Sequence, residues 1–282
     1  MNDKILFSPR ELSELVNKKE VIVIDVRDPV LYNDEHIPGA FNIHEVFTYL
    51  SKSSLEELEK LKNFFYDKFC EIGVTENKTV IFYARNLAQN LGAACRGYWL
   101  LSYLGHKNAG VLDGGLSNWT ANKLPITRNI PDKPERSSFK IDLQNEIIAD
   151  KELMLSAINN PDYKIIDNRD KPEWIGQEIS PYGERFILPI GRIPGASWIE
   201  WYNFLEFKSS VAFFKSPEKI RKICNKNGID VNDEIIIYCF KGARASNTYV
   251  ALKLAGFKKV RNYFASWYEW AELDGYPKEE IR

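Results

Sequence analysis

The chain has 282 residues, 44% of them hydrophobic, and sets 38 Lys and Arg against 39 Asp and Glu for a formal net charge of −1. That length predicts two domains of ordinary size, each able to bury its own core, and near neutrality excludes a global attraction to nucleic acid or an anionic membrane. No apolar run approaches the length of a membrane span and Met1-Asn2-Asp3-Lys4 lacks the apolar core of a signal peptide, so the expectation is a cytoplasmic protein.

In chain order, Val21-Ile22-Val23-Ile24-Asp25-Val26-Arg27 reads as an apolar strand ending in Asp-x-Arg, and His36-Ile37-Pro38-Gly39-Ala40 as a turn into the next extended segment. Val80-Ile81-Phe82-Tyr83 is a second strand, followed by a helical stretch that closes at Gly105. Val111-Leu112-Asp113-Gly114-Gly115-Leu116-Ser117-Asn118-Trp119 completes the set. A polar stretch from Pro125, with Pro131 and Pro134, predicts a linker over residues 127–144. The same signals then return in the same order. They are Lys164-Ile165-Ile166-Asp167-Asn168-Arg169, Arg192-Ile193-Pro194-Gly195-Ala196, Ile235-Ile236-Ile237-Tyr238 with a helical stretch closing at Gly256, and Val260-Arg261-Asn262-Tyr263-Phe264-Ala265-Ser266-Trp267. Residues 179–190, with Pro181, Gly183 and Pro189, read as a long loop present in the second half only.

Such self-similarity marks a tandem repeat. Short strands alternating with helix-length segments predict, for each half, an α/β domain with a mostly parallel sheet and helices on both faces. The expected division is a first domain over residues 1–126, a linker over 127–144 and a second domain over 145–282.

Cys70, Cys95, Cys224 and Cys239 are widely spaced with no CxxC pair, which argues against a zinc site or a disulfide framework. The first three read as core or surface thiols. Cys239 differs because Cys239-Phe240-Lys241-Gly242-Ala243-Arg244 follows directly on a strand and opens a helix. Loop amides, the helix N-terminus, Lys241 and Arg244 all bring positive charge there and favour a thiolate, making Cys239 a candidate nucleophile rather than a buried small hydrophobe. No histidine follows His106, so a Cys–His dyad within the second half is impossible. The repeat acts as an internal control. Asp25/Arg27 and Asp167/Arg169 occur in both halves and read as structural charge pairs or turn caps. Aligning Tyr83 with Tyr238 places Ala84 opposite Cys239, Asn86 opposite Lys241 and Gln89 opposite Arg244, so the chemistry is expected in the second half. Arg85 reads as a solvated arginine.

On Asp25-Val26-Arg27, His36-Ile37-Pro38-Gly39-Ala40, Leu112-Asp113-Gly114-Gly115 with Trp119, and the loop from Cys239 to Arg244, the chain resembles the two-domain rhodanese family of sulfurtransferases nearly end to end. The resemblance implies tandem rhodanese-like domains, the first inactive and the second catalytic. It implies transfer of a sulfane sulfur from a small anionic donor such as thiosulfate to Cys239 as a persulfide, then to cyanide or a thiol, with a protein as a further kind of acceptor. Phe240, Lys241, Gly242, Ala243 and Arg244 would bind substrate, and neither metal nor cofactor is called for. Arg244-Ala245-Ser246 is similar to the bacterial branch. Glu173 stands where animal members place a substrate-binding arginine, Phe240 replaces the usual arginine, and Phe264-Ala265 replaces Asp-Gly. Competing readings are a 3-mercaptopyruvate sulfurtransferase, a persulfide carrier or binding module for a partner protein, and a cysteine phosphatase or arsenate reductase, whose loop is one residue longer between Cys and Arg.

Overall fold

The apolar runs become the inner strands of two five-stranded parallel sheets. The computed structural model describes residues 4–183, 186 and 188–280. The first sheet comprises β1 (Leu6–Phe7), β2 (Val21–Asp25), β3 (Phe41–Asn42), β4 (Thr79–Tyr83) and β5 (Ala109–Leu112), in the spatial order β1-β5-β4-β2-β3. The second comprises β6 (Ile148–Ala149), β7 (Tyr163–Asp167), β8 (Ser197–Trp198), β11 (Glu234–Tyr238) and β12 (Val260–Tyr263), in the order β6-β12-β11-β7-β8, the same order strand for strand. A separate two-stranded sheet pairs β9 (Leu205–Lys208) with β10 (Val211–Phe214). The central strands β4 and β11 are buried along Val80 to Tyr83 and Ile235 to Tyr238. Strands covered on both faces by helices need continuous apolar runs, which is why these segments show no alternation.

The chain divides into two compact units, Met1–Tyr49 with Glu59–Gln144 and Phe207–Phe213, and Leu50–Leu58 with Asn145–Glu206 and Phe214–Arg282. Val23, Ile81, Tyr83, Leu116 and Trp119 centre the first core. Ile165, Ile236, Tyr238, Trp267 and Trp270 centre the second. Residues 127–144 carry no helix or strand, yet Ser137 N–H donates to Cys70 O and Asp142 N–H to Leu104 O, both at 3.0 Å, and Phe139 is buried. The described residues of 179–190 likewise form no helix or strand, and Glu184, Arg185 and Ile187 lie outside the described residues. Among the described residues no helix is long and apolar enough to cross a membrane.

Leu50–Leu58, from the first half of the chain, belongs to the second unit. Ser53 donates its N–H to Glu269 Oε1 at 2.8 Å and its hydroxyl to Oε2 at 2.6 Å, while Tyr263 OH donates to the same Oε2 at 2.8 Å and Lys151 N–H to Ser53 Oγ at 3.0 Å. Glu269 is 2% exposed, so this carboxylate is desolvated and depends on these donors. Ser53→Ala should therefore lower the stability of the full chain by about 1–3 kcal/mol, read as a lower urea midpoint with an unchanged slope; an unchanged midpoint would show that Glu269 finds its donors elsewhere. A fragment beginning at residue 145 lacks the segment altogether and should be less stable still.

Candidate active site

β11 ends at Tyr238, whose hydroxyl donates to Asp167 Oδ2 at 2.6 Å and accepts the Ile193 N–H at 3.2 Å. Arg169 holds the same carboxylate through Nε at 3.0 Å and Nη2 at 2.7 Å and donates from Nη2 to Gly191 O at 2.9 Å. All three side chains are buried. Charge here is matched and its donors and acceptors are used, which is the condition for tolerating an ion pair away from water. The first unit repeats the frame, with Arg27 on Asp25 and the Ile37 N–H donating to Tyr83 OH at 3.1 Å. The recurrent Asp-x-Arg pairs are thus fixtures of the fold beneath each loop.

From Tyr238 the chain turns through residues 239–242 and enters the helix Ala243–Leu254. Gly242 caps that helix at φ +81°, and its N–H donates to Cys239 Sγ at 3.2 Å. A Cβ on Gly242 would lie 2.6 Å from Phe264 O, so both the backbone angle and the space require glycine. Cys239 N–H donates to Ser266 Oγ at 3.1 Å, and Ser266 Oγ donates to Tyr263 O at 2.7 Å. The carbonyls of Cys239 and Phe240 accept from Trp267 N–H at 3.1 Å and Tyr268 N–H at 2.8 Å. Gly242 O accepts from Ser246 Oγ at 2.6 Å and Asn262 Nδ2 at 3.3 Å. Both ends of the turn are therefore pinned, and the sulfur faces a helix N-terminus with its partial positive charge.

The two loop cations have different surroundings. Arg244 is fully buried, with Nη1 on Glu173 Oε2, Nη2 at 2.9 Å from Glu173 Oε1, and Nη1 at 3.0 Å from Asp170 Oδ2. Trp201 Nε1–H fixes Asp170 from the other side at 2.8 Å. Burial works against the guanidinium charge, but the Glu173 carboxylate more than offsets it and pushes the Arg244 pKa well up. Both of its Nη atoms are thus engaged by protein carboxylates. Lys241 is 3% exposed, with Nζ 4.2 Å from the centre of the Tyr182 ring. Phe240 is buried against Phe186 at 5.0 Å, Tyr182 at 5.3 Å and Tyr268 at 6.3 Å between ring centres. Ala243, also buried, is the first residue of the helix. The other thiols lie in the cores: burial pushes Cys70 up and Cys224 up to about 12, and Cys95 is buried in the helix Ala93–Tyr103.

The first unit aligns with this loop at its start and departs after it. Leu116 N–H donates to Ala84 O and Ser117 N–H to Arg85 O, as Trp267 and Tyr268 do to Cys239 and Phe240, so Ala84 occupies the position of Cys239. From there the connection runs through nine residues, 84–92, before the helix begins, against four in the second unit. Gly92, capping at φ +83°, thus corresponds to Gly242. The pairings of Asn86 with Lys241 and Gln89 with Arg244 do not survive this insertion. The contacts of two residues have no sign in the sequence. Ser266 stands opposite Gly115, and its Oγ bond to Cys239 N–H is specific to the second unit. Glu173 belongs to a capping box with Asp170, a pattern readable as Asp-Lys-Pro-Glu, but its pairing with Arg244 spans 71 residues and leaves no local signal.

The profile of the rhodanese-like domain matches residues 8–122 and 150–273. The chain is 30% identical over 243 residues to the thiosulfate sulfurtransferase of Cricetulus griseus, covering 85% of this chain and 78% of that one. It is 28% identical over 286 residues to the sulfur carrier protein TtuD of Thermus thermophilus, covering 97% and 96%. Among solved structures, the crystal structure of YnjE superposes with a TM-score of 0.79 at 28% identity, over 98% of this chain and 68% of that one.

Glycine substitutions test the geometry of the turn. Gly256 also has positive φ, at +89°, but a Cβ there meets nothing within 4 Å. Gly256→Ala should cost about 1–2 kcal/mol of backbone strain, and Gly242→Ala at least ~1 kcal/mol more because steric displacement adds to it. Equal losses in chemical denaturation would contradict the close approach of Gly242 to Phe264.

Proposed function

The chain belongs to the rhodanese family of sulfurtransferases, and from that premise we propose that it is a thiosulfate sulfurtransferase acting through a persulfide on Cys239. The observation that carries this reading is Cys239 Sγ held in a four-residue turn at a helix N-terminus, accepting the Gly242 N–H. In the first step the Cys239 thiolate attacks the outer sulfur of thiosulfate. The new S–S bond forms as the bond to the sulfonate sulfur breaks, and sulfite leaves with that electron pair. In the second step cyanide or a thiolate attacks the terminal sulfur, forming thiocyanate or a new persulfide and returning the Cys239 thiolate. The Gly242 amide and the helix end supply positive charge where the negative sulfur resides, and the Arg244 guanidinium interacts with Cys239 through its charge. No proton need be moved at Cys239 in the exchange, so a nearby general base is not part of the scheme.

Lys241 is the loop cation we assign to the anionic donor, while Arg244, engaged by Glu173 and Asp170, acts as a positioning residue for the start of the helix. Phe240 and Ala243 shape the wall and the helix entry. We assign the chemistry to residues 145–282 together with Leu50–Leu58, with residues 127–144 as the connection and the first half, carrying Ala84 at the matching place, as an inactive domain. Four free cysteines suit a reducing compartment, which favours the cytoplasm. A second reading, a sulfur carrier that hands its persulfide to a partner protein, is favoured by the likeness to the Thermus relative.

Cys239→Ser should abolish steady-state thiosulfate:cyanide turnover with the fold intact, since a hydroxyl cannot form a persulfide; substantial residual turnover would overturn the assignment. Lys241→Gln should raise the KM for thiosulfate about tenfold or more with a smaller change in the cyanide step, and wild-type use of thiosulfate should weaken as salt rises. A higher kcat/KM for 3-mercaptopyruvate than for thiosulfate would contradict the donor. A single stoichiometric sulfur loading without turnover on small acceptors would select the carrier reading.

A further inference from the structure

The first unit contains a cavity of about 400 Å³ beside the loop that corresponds to the Cys239 turn. Its size falls within the range of small-molecule sites, about 300–1,000 Å³. Arg27, Arg85, Arg128, Gln89, Asp34 and Glu35 line it; Asp25, Glu35 and Asp34 balance the three guanidinium charges, so what the cavity offers an anion is N–H donors rather than net positive charge. Arg27, 2% exposed, spends Nε and Nη2 on Asp25 and Nη2 on Glu35 O, leaving Nη1 outside this clamp. In the second unit the matching Arg169 is covered by the Trp267 ring, 4.7 Å away, whereas the residue in that place here is the smaller Leu116. Arg27 keeps the Tyr83 ring at 5.8 Å, as Arg169 keeps Tyr238 at 5.7 Å, but has leucine in the place of the tryptophan and lines the cavity.

The side walls supply further donors. Arg85 pairs through Nη1 with Glu35, and Arg128 donates from Nε to Asp34 O at 2.8 Å, each keeping other N–H groups beyond those bonds. The longer connection of residues 84–92 brings Gln89 to the same cavity. Its side-chain amide offers a neutral donor. A planar guanidinium with further N–H donors around it matches the oxygen edge of a carboxylate or a sulfur oxyanion.

We propose that this cavity, where the first unit has lost the reactive cysteine, binds a small molecule bearing an oxyanion group, with Arg27 and Gln89 as donors and Arg85 and Arg128 flanking. The site lies entirely within the first unit and does not depend on Cys239. The insertion that separates the two loops has, on this account, exchanged a reactive turn for a binding site.

Calorimetric titration of the full chain carrying Cys239→Ser, with sodium sulfate in one arm and malonate in the other, tests this directly. Sulfate and malonate separate a tetrahedral oxyanion site from a carboxylate site. The expected result is saturable binding of at least one probe that weakens about tenfold or more in Gln89→Glu, which places a carboxylate on an exposed position of the wall, and persists in Lys241→Gln. Arg85→Gln, also on the surface, should weaken it in the same direction. Binding that survives Gln89→Glu, binding that disappears in Lys241→Gln, or the absence of heat for both probes up to about 10 mM would each overturn the proposal.

Discussion

A chain that leaves a central parallel strand and enters a helix within four residues must reverse its backbone through positive φ, and here Gly242 makes that reversal against Phe264 O with no room for a side chain. The placement of Cys239 follows from it. The same peptide that closes the turn presents its N–H to Sγ, and the helix it caps points its N-terminal end at the sulfur. Around the turn, bonds with Ser266, Trp267, Tyr268, Ser246 and Asn262 engage the Cys239 N–H and the carbonyls of Cys239, Phe240 and Gly242, groups that the short loop would otherwise bury unpaired.

Electrostatics divides the remaining labour. Arg244 and the Asp167–Arg169 pair are internal charges balanced by internal partners, and removing one member would leave the other desolvated and alone. They hold geometry. Lys241 differs in lying over an aromatic face, its ammonium 4.2 Å from the centre of the Tyr182 ring. This division also accounts for Glu173, which in this chain is the counter-ion of Arg244.

Much of this was legible in the sequence because it is local or periodic. The repeat, the parallel α/β architecture, the buried central strands and the strand–loop–helix setting of Cys239 all follow from apolar runs and from glycines at fixed places. Other features rest on pairings across long separations. Ser53 on Glu269 spans 216 residues and Arg244 on Glu173 spans 71, and neither leaves a mark on the residues between. The insertion in the first loop misled for another reason. Tyr83 and Ala84 align with Tyr238 and Cys239, but a residue-by-residue count beyond them assumes equal loop lengths, and Gly92 shows that they differ.

The account turns on a persulfide at one named sulfur. Intact mass after incubation with thiosulfate and removal of the donor tests this most directly. The account predicts a gain of one sulfur atom in the wild-type chain and in a variant with Cys70, Cys95 and Cys224 all replaced by serine, with no gain in Cys239→Ser. A gain that persists in Cys239→Ser, or that vanishes in the folded triple variant, would contradict it.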